Sequence, residues 1–326
     1  MNLSLVIPVY NEAQNLPDLA DAIHAALADY PSDWEVIFVD DGSRDDSLAV
    51  LKHLVAGDSL HFRIVSFRRN FGQTAAIAAG IDHSTGEMVV LLDADLQNDP
   101  ADILKMIGKL NEGYDVVSGY RKDRKDTFLT RTIPSRLANA LISRVTGVHL
   151  HDYGCTLKAY RREVLDNIRL YGEMHRFIPV YAHAIGARIT ELQVQHHPRK
   201  YGKTSYGLER TLKVILDLLT VKFLLSYAAK PIYLFGGAGA SLIVLSVITL
   251  LVLLVRRIFF AISVLASPFF QMSVMFFILG FQSILMGLIA ELLVRTYHES
   301  QHKPTYTVRE TVNFIPDDHN LAGKQV

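Results

Sequence analysis

Asp93 and Asp95 are separated by one residue, and Gln97 stands two further on. Such a row of oxygen donors suits hard divalent cations, Mg²⁺ or Mn²⁺, which usually share their ligands with phosphates. A cation bridging a diphosphate would neutralise charge that builds on a leaving group. In extended chain, residues two apart share a face, so the spacing predicts all three side chains on one side. The competing reading is an acidic turn that caps the next helix, since Asp99 precedes Pro100.

Four further polar clusters accompany this one. Pro8 lies near the end of an apolar run at 3–9, and Tyr10 and Glu12 follow it. Asp40 and Asp41 end a run at 35–39, and as neighbours they point oppositely, so one of them faces a ligand. Arg68 to Gly72 follow a run at 63–67, and Gly119 to Arg121 follow one at 115–118. The acidic row itself follows a run at 88–92. Every cluster therefore lies at the carboxyl end of a strand-like run. In open parallel sheets that edge is where ligands bind.

The runs alternate with helical stretches. Asn15 is placed to cap the first, with Pro17 tolerated in its opening turn, and Asp45 or Asp46 the second. Residues 73–81 and 100–110 supply the third and fourth. Strand–helix alternation predicts an α/β fold: a mostly parallel sheet with helices on both faces. Beyond Tyr120 come a basic stretch, a helix near 135–145, a strand at 188–196 and a loop at 198–207. An amphipathic helix follows at 208–223, suited either to a membrane interface or to the surface of the soluble domain.

Lys+Arg and Asp+Glu balance at 33 each, which gives no basic footprint for nucleic acid. Between 231 and 290 the only charged residues are Arg256 and Arg257. Two spans fit there, at about 231–255 and 268–290, joined as a helical hairpin. The lysines and arginines flanking them favour both termini in the cytoplasm. The single cysteine, Cys155, excludes an intrachain disulfide and reads as a small buried residue. His196 and His197 point apart on a strand, and His298 with His302 lack an evident third ligand, so neither pair reads as a metal site.

The segments VIPVYNE, VDDGS, RNFGQTAAIAAG, LDADLQNDP, DYGCTLKAYRR, RFIP and GKTSYG, followed by the apolar hairpin, resemble the family 2 glycosyltransferases. Within that family they are most similar to the polyprenyl-phosphate glycosyltransferases, which include dolichol-phosphate mannosyltransferase and undecaprenyl-phosphate glucosyl- and aminoarabinose transferases. The resemblance implies a GT-A, Rossmann-like catalytic domain over 1–199, a donor-side loop and interfacial helix over 200–230, the hairpin, and a cytosolic tail over 291–326. It implies inverting transfer from a nucleotide-sugar, UDP-linked or GDP-mannose, to undecaprenyl or another polyprenyl phosphate.

The same resemblance implies residue roles. Pro8, Tyr10, Glu12, Asp40 or Asp41, and Asp93 would hold the donor, with Arg199 and Lys203 closing over its diphosphate. Asp93, Asp95 and Gln97 would hold the metal. Arg121, Arg131, Ser135 and Arg136 would hold the acceptor phosphate, Arg131 and Arg136 being interchangeable. Asp152 would sit beside the acceptor, as a base or as the group that orients it. The implied setting is a multi-pass protein of the inner membrane, assembled as a tetramer. A processive polysaccharide synthase is the rival enzyme, but its Gln-x-x-Arg-Trp motif is absent, the one tryptophan being Trp34. A non-catalytic scaffold would not need Asp93, Asp95 and Asp152.

Overall fold

The computed structural model describes residues 2–121, 139, 142–144, 146–168, 170, 174–198, 200, 232–260, 263–265, 267–300 and 306–314. Among these, the residues up to 200 together with 306–314 form one compact unit, and residues 232–300 a second.

The first unit is built on an eight-stranded sheet of order β7-β5-β6-β4-β1-β2-β3-β8. Its strands are β1 (Leu3–Val9), β2 (Trp34–Asp40), β3 (Phe62–Phe67), β4 (Met88–Leu91), β5 (Val116–Tyr120), β6 (Lys158–Arg161), β7 (Ile189–Gln193) and β8 (Val308–Val312). β4, β1, β2 and β3 run parallel, as do β5 and β7. β6 is antiparallel to both β4 and β5. The helices are α1 (Leu16–Leu27), α2 (Ser47–Gly57), α3 (Gln73–His83), α4 (Ile103–Asn111), α5 (Arg162–Leu165) and α6 (Ile178–Ala184).

Alternation along the strands divides the core between two faces. Leu3, Leu5 and Ile7 of β1 and Val36 and Phe38 of β2 pack with Leu16, Leu51 and Met106 of α1, α2 and α4. Ile37 and Val39 of β2 point the other way, against Ala75, Ala76 and Ala79 of α3. Helices thus cover both faces, as the strand–helix alternation predicts. α3 can lie close because a Cβ on Gly80 would come within 2.2 Å of Val6 Cγ1.

One capping expectation is corrected, and the other is narrowed to one of its two candidates. Asn15 has helical backbone angles and makes no side-chain cap; its amide donates to the Glu12 carboxylate. At α2 it is Asp45 that accepts the Ser47 N–H, at 3.0 Å, while Asp46 occupies the cap position without a side-chain bond.

β8 lies in the region read as a tail. It pairs antiparallel with β3 and closes that edge of the sheet. Tyr306, just before it, stacks on Phe67 at 5.1 Å and donates to Asp82 at 2.8 Å. Lys52 and Glu310 pair at 2.8 Å, although 258 residues separate them in the chain.

The second unit is a pair of long helices, α7 (Ile232–Phe260) and α8 (Pro268–Ser300). Phe235–Phe259 and Pro268–Ala290 are long and apolar enough to cross a membrane. Most of their large side chains, Leu251, Phe259, Phe277 and Ile289 among them, are exposed. A buried core hairpin of a soluble protein would not leave such a surface in water. The two helices meet where each of Gly239 and Gly280 leaves no room for a Cβ, and Ser246 and Ser273 bond to each other. α8 runs ten residues past the expected end of its span at Ala290.

Candidate active site

A cavity of about 490 Å³ opens at the carboxyl ends of the parallel strands. Pro8, Tyr10, Glu12, Asp41, Asp93, Asp95, Gln97 and Arg121 all line it, which gathers most of the residues expected there. Asp40 does not line it. Its carboxylate is buried and accepts from the Ser43 N–H at 3.1 Å and the Ser66 hydroxyl at 3.0 Å. Asp41 is therefore the member of the pair on the ligand side. It also accepts the N–H groups of Phe71 and Gly72 at 2.6 and 2.9 Å, tying the β2 loop to the β3 loop. Burial raises its pKa and these bonds oppose the rise.

The acidic row reaches the cavity by a route other than the expected one. β4 ends at Leu91, so Asp93, Asp95 and Gln97 do not share a strand face. A turn replaces the strand: Leu96 takes a left-handed φ of 58°, and Asp95 Oδ1 accepts the Gln97 N–H at 3.1 Å. A left-handed leucine is costly, and such strain concentrates at functional sites. Asp99 does cap the helical turn that starts at Pro100, accepting from Ala101 at 2.9 Å. The capping reading is thus correct for Asp99, and Asp93 and Asp95 are left to the cavity.

Asp93 is gripped on both oxygens, by Gln73 Nε2 at 2.8 Å and by the Thr156 hydroxyl at 2.6 Å. Its pKa is pushed up to about 6, first by burial and then by the charge of Asp95. Two carboxylates forced together in this way, with the Gln97 amide beside them, form an oxygen donor set that a divalent cation fits and whose repulsion it would relieve.

β6 carries a second group of residues to the same edge. Because it runs antiparallel to its neighbours, its first residue and the loop before it lie where the other strands end. Thr156, Cys155, Gly154 and Lys158 line the cavity in consequence. Asp152 is buried behind them rather than lining it. Its carboxylate holds Arg121 at two points, Nε at 2.7 Å and Nη2 at 3.2 Å. Lys158 is buried, donates to the carbonyl oxygens of Tyr153 and Cys155, and has its pKa lowered by burial.

Gln73, Thr156, Lys158, His175 and Arg176 line the site without having been assigned a role from the sequence. His175 shares a 2.7 Å hydrogen bond with Thr74, and Arg176 Nε donates to its Nε2 at 3.4 Å. Burial, with the Arg176 and Lys158 charges, holds its pKa down at about 3. Arg131, Ser135, Arg136, Arg199 and Lys203 lie outside the described residues, as does the amphipathic segment at 208–223.

A mostly parallel α/β sheet with an acidic cavity at its carboxyl edge has its site where open α/β sheets bind ligands. The profile of glycosyl transferase family 2 matches residues 4–169. The chain belongs to that family, and it is a glycosyltransferase. It is 43% identical to dodecaprenyl-phosphate galacturonate synthase of Rhizobium johnstonii, over 99% of this chain and 95% of that one. It is 36% identical to undecaprenyl-phosphate 4-deoxy-4-formamido-L-arabinose transferase of Klebsiella pneumoniae, over 95% and 93%. Among solved structures it is similar to glucosyl-3-phosphoglycerate synthase from Mycobacterium tuberculosis in complex with Mn²⁺, UDP and phosphoglyceric acid. That likeness has a TM-score of 0.53 at 20% identity, over 68% of this chain and 78% of that one, and it shows the GT-A fold.

Proposed function

We propose that the protein transfers a sugar from a UDP-linked donor to a polyprenyl phosphate at the cytosolic face of the inner membrane. The observation that carries this reading is the pairing, in one cavity, of the Asp93–Asp95 donor set with a guanidinium, Arg121, locked by Asp152. The acids suit a cation-bound diphosphate, and the guanidinium suits a second phosphate. Likeness to two polyprenyl-phosphate transferases along nearly the whole chain supports the acceptor class. A solved neighbour holding Mn²⁺ and UDP supports cation use.

In this reading Pro8, Tyr10, Glu12 and Asp41 hold the nucleoside, and Arg199 and Lys203 close over its diphosphate. Asp93, Asp95 and Gln97 hold Mg²⁺ or Mn²⁺, which when bound offsets the charge of the departing diphosphate. Arg121, with Arg131, Ser135 and Arg136, holds the acceptor phosphate. One phosphate oxygen attacks the anomeric carbon, the bond to the diphosphate breaks, and the configuration inverts. An α-linked donor gives a β-linked lipid product. The second pKa of a phosphate monoester is about 6, so the nucleophile is already largely ionised at neutral pH. No base has to remove a proton, and Asp152 serves as a positioning residue for Arg121.

β8 supports the topology. It joins the sheet that precedes the two long helices, which supports a common side of the membrane for the chain before and after them. The test is transfer of radiolabel from a panel of UDP- and GDP-sugars into chloroform-extractable, mild-acid-labile lipid. Label is expected on undecaprenyl phosphate with one UDP-sugar. Binding of donor and cation without transfer to any polyprenyl phosphate would overturn the reading.

A further inference from the structure

We propose that a transition-metal cation, Zn²⁺ foremost, binds His24, Asp58 and His61, at the end of the sheet opposite the cavity. The three residues come from separate elements. His24 lies in the last turn of α1, Asp58 directly follows α2, and His61 directly precedes β3. Their donor atoms lie within 4.8 Å of one another.

Both Asp58 oxygens face His61 Nδ1, Oδ1 at 3.1 Å and Oδ2 at 2.8 Å. Oδ1 accepts the N–H groups of Leu60 and His61, both at 3.1 Å, which fixes the carboxylate plane. Oδ2 lies 2.8 Å from His24 Nε2 and 2.8 Å from His61 Nδ1. His24 decides what sits there. Its Nδ1 is 3.0 Å from the Ala20 carbonyl oxygen, which can only accept, so Nδ1 carries a proton. In the neutral ring Nε2 is then a bare lone pair aimed at a carboxylate oxygen. Two acceptors at that distance repel unless a proton or a metal ion lies between them.

An imidazole that gives one N–H to a backbone carbonyl and presents its other nitrogen to a shared carboxylate has the arrangement of a metal-bound histidine. Two imidazoles and one carboxylate match the three-ligand Zn²⁺ sites that keep a position for water. The His24 side chain is 43% exposed, which leaves that position reachable. Donors about 2.1 Å from a tetrahedral ion stand about 3.4 Å apart, so the cluster opens by about half an ångström. The ion would clip the end of α1 to the turn between α2 and β3. Nitrogen donors set it apart from the oxygen-lined cavity and its hard cation.

The reporter is already in place. Trp34, the single tryptophan, stacks on His61 with centroids 3.8 Å apart and planes 12° apart. The full chain in detergent, stripped with chelator, is titrated with Cu²⁺ while Trp34 emission is recorded. Quenching is expected to saturate near one equivalent, to be reversed by a large excess of Zn²⁺, which such sites hold less tightly than Cu²⁺, and to be absent with Mg²⁺. H24Q and D58N should each raise the Cu²⁺ midpoint about tenfold or more, with sugar transfer retained. The proposal fails if wild-type emission shows no saturable quench. It fails equally if both variants keep the wild-type midpoint, in which case a proton alone bridges the cluster.

Discussion

At the residue scale, Arg121 and Asp152 form one device. Arg121 lines the cavity, and Asp152, buried at 2% exposure, grips it through two hydrogen bonds. A carboxylate so engaged sets the angle of the guanidinium. Asp152→Asn is expected to lower transfer about 100-fold through misplacement of that group, with donor affinity kept and the pH–rate profile unmoved. Recovery of rate at high pH would instead identify a lost base. His175 makes a second prediction. Its pKa falls from 6.5 to about 3 in the folded chain, so between those values the unfolded chain binds a proton that the folded chain refuses. The stability linked to this residue is complete above 6.5 and lost as pH drops toward 3. His175→Gln should therefore flatten the fall of melting temperature on acidification. A wild-type slope in the variant would contradict it. The acids of the cavity were legible because they follow apolar runs. Which of Asp40 and Asp41 turns inward was not, since the pleat says only that neighbours diverge.

At the element scale, β6 brings the two halves of the site together. Local patterning reveals strands because β-branched runs are bounded by polar turns, and β1 to β5 were readable on that basis. Nothing local says that Lys158–Arg161 runs against its neighbours, yet that reversal delivers Thr156 to the cavity and sets Arg121's partner Asp152 behind it. The acidic row likewise arrives by a turn at Leu96, where the strand had been expected to continue. α3 rests on a tighter constraint. A Cβ at Gly80 would meet a Val6 side chain that is fully buried and has nowhere to move. Gly80→Ala is expected to cost about 1–3 kcal/mol by overpacking, measured as a shift in denaturant midpoint at unchanged slope. A neutral result would mean that α3 can slide on the sheet.

At the scale of the whole molecule, the chain leaves its catalytic sheet, makes two long helices, and returns to the sheet as β8. That strand was hidden in the sequence because Arg309, Glu310 and Thr311 leave it apolar only at its ends, as suits an edge. The topology has a direct check, since the native Cys155 is buried. In cells, cysteines introduced at Arg44 and Arg309 should both escape a membrane-impermeant maleimide added from outside, while one at Leu265 should react. Labelling of Arg309→Cys from outside would refute a common side. β8 also fixes an order of events. It leaves the ribosome after both long helices, so until then β3 presents an unpaired row of backbone donors and acceptors. A chain that stops short of 308–312 is left with a sticky edge, and one that is finished seals it. Closure of that edge separates complete molecules from incomplete ones, and the price of premature termination is aggregation rather than a slightly weaker enzyme.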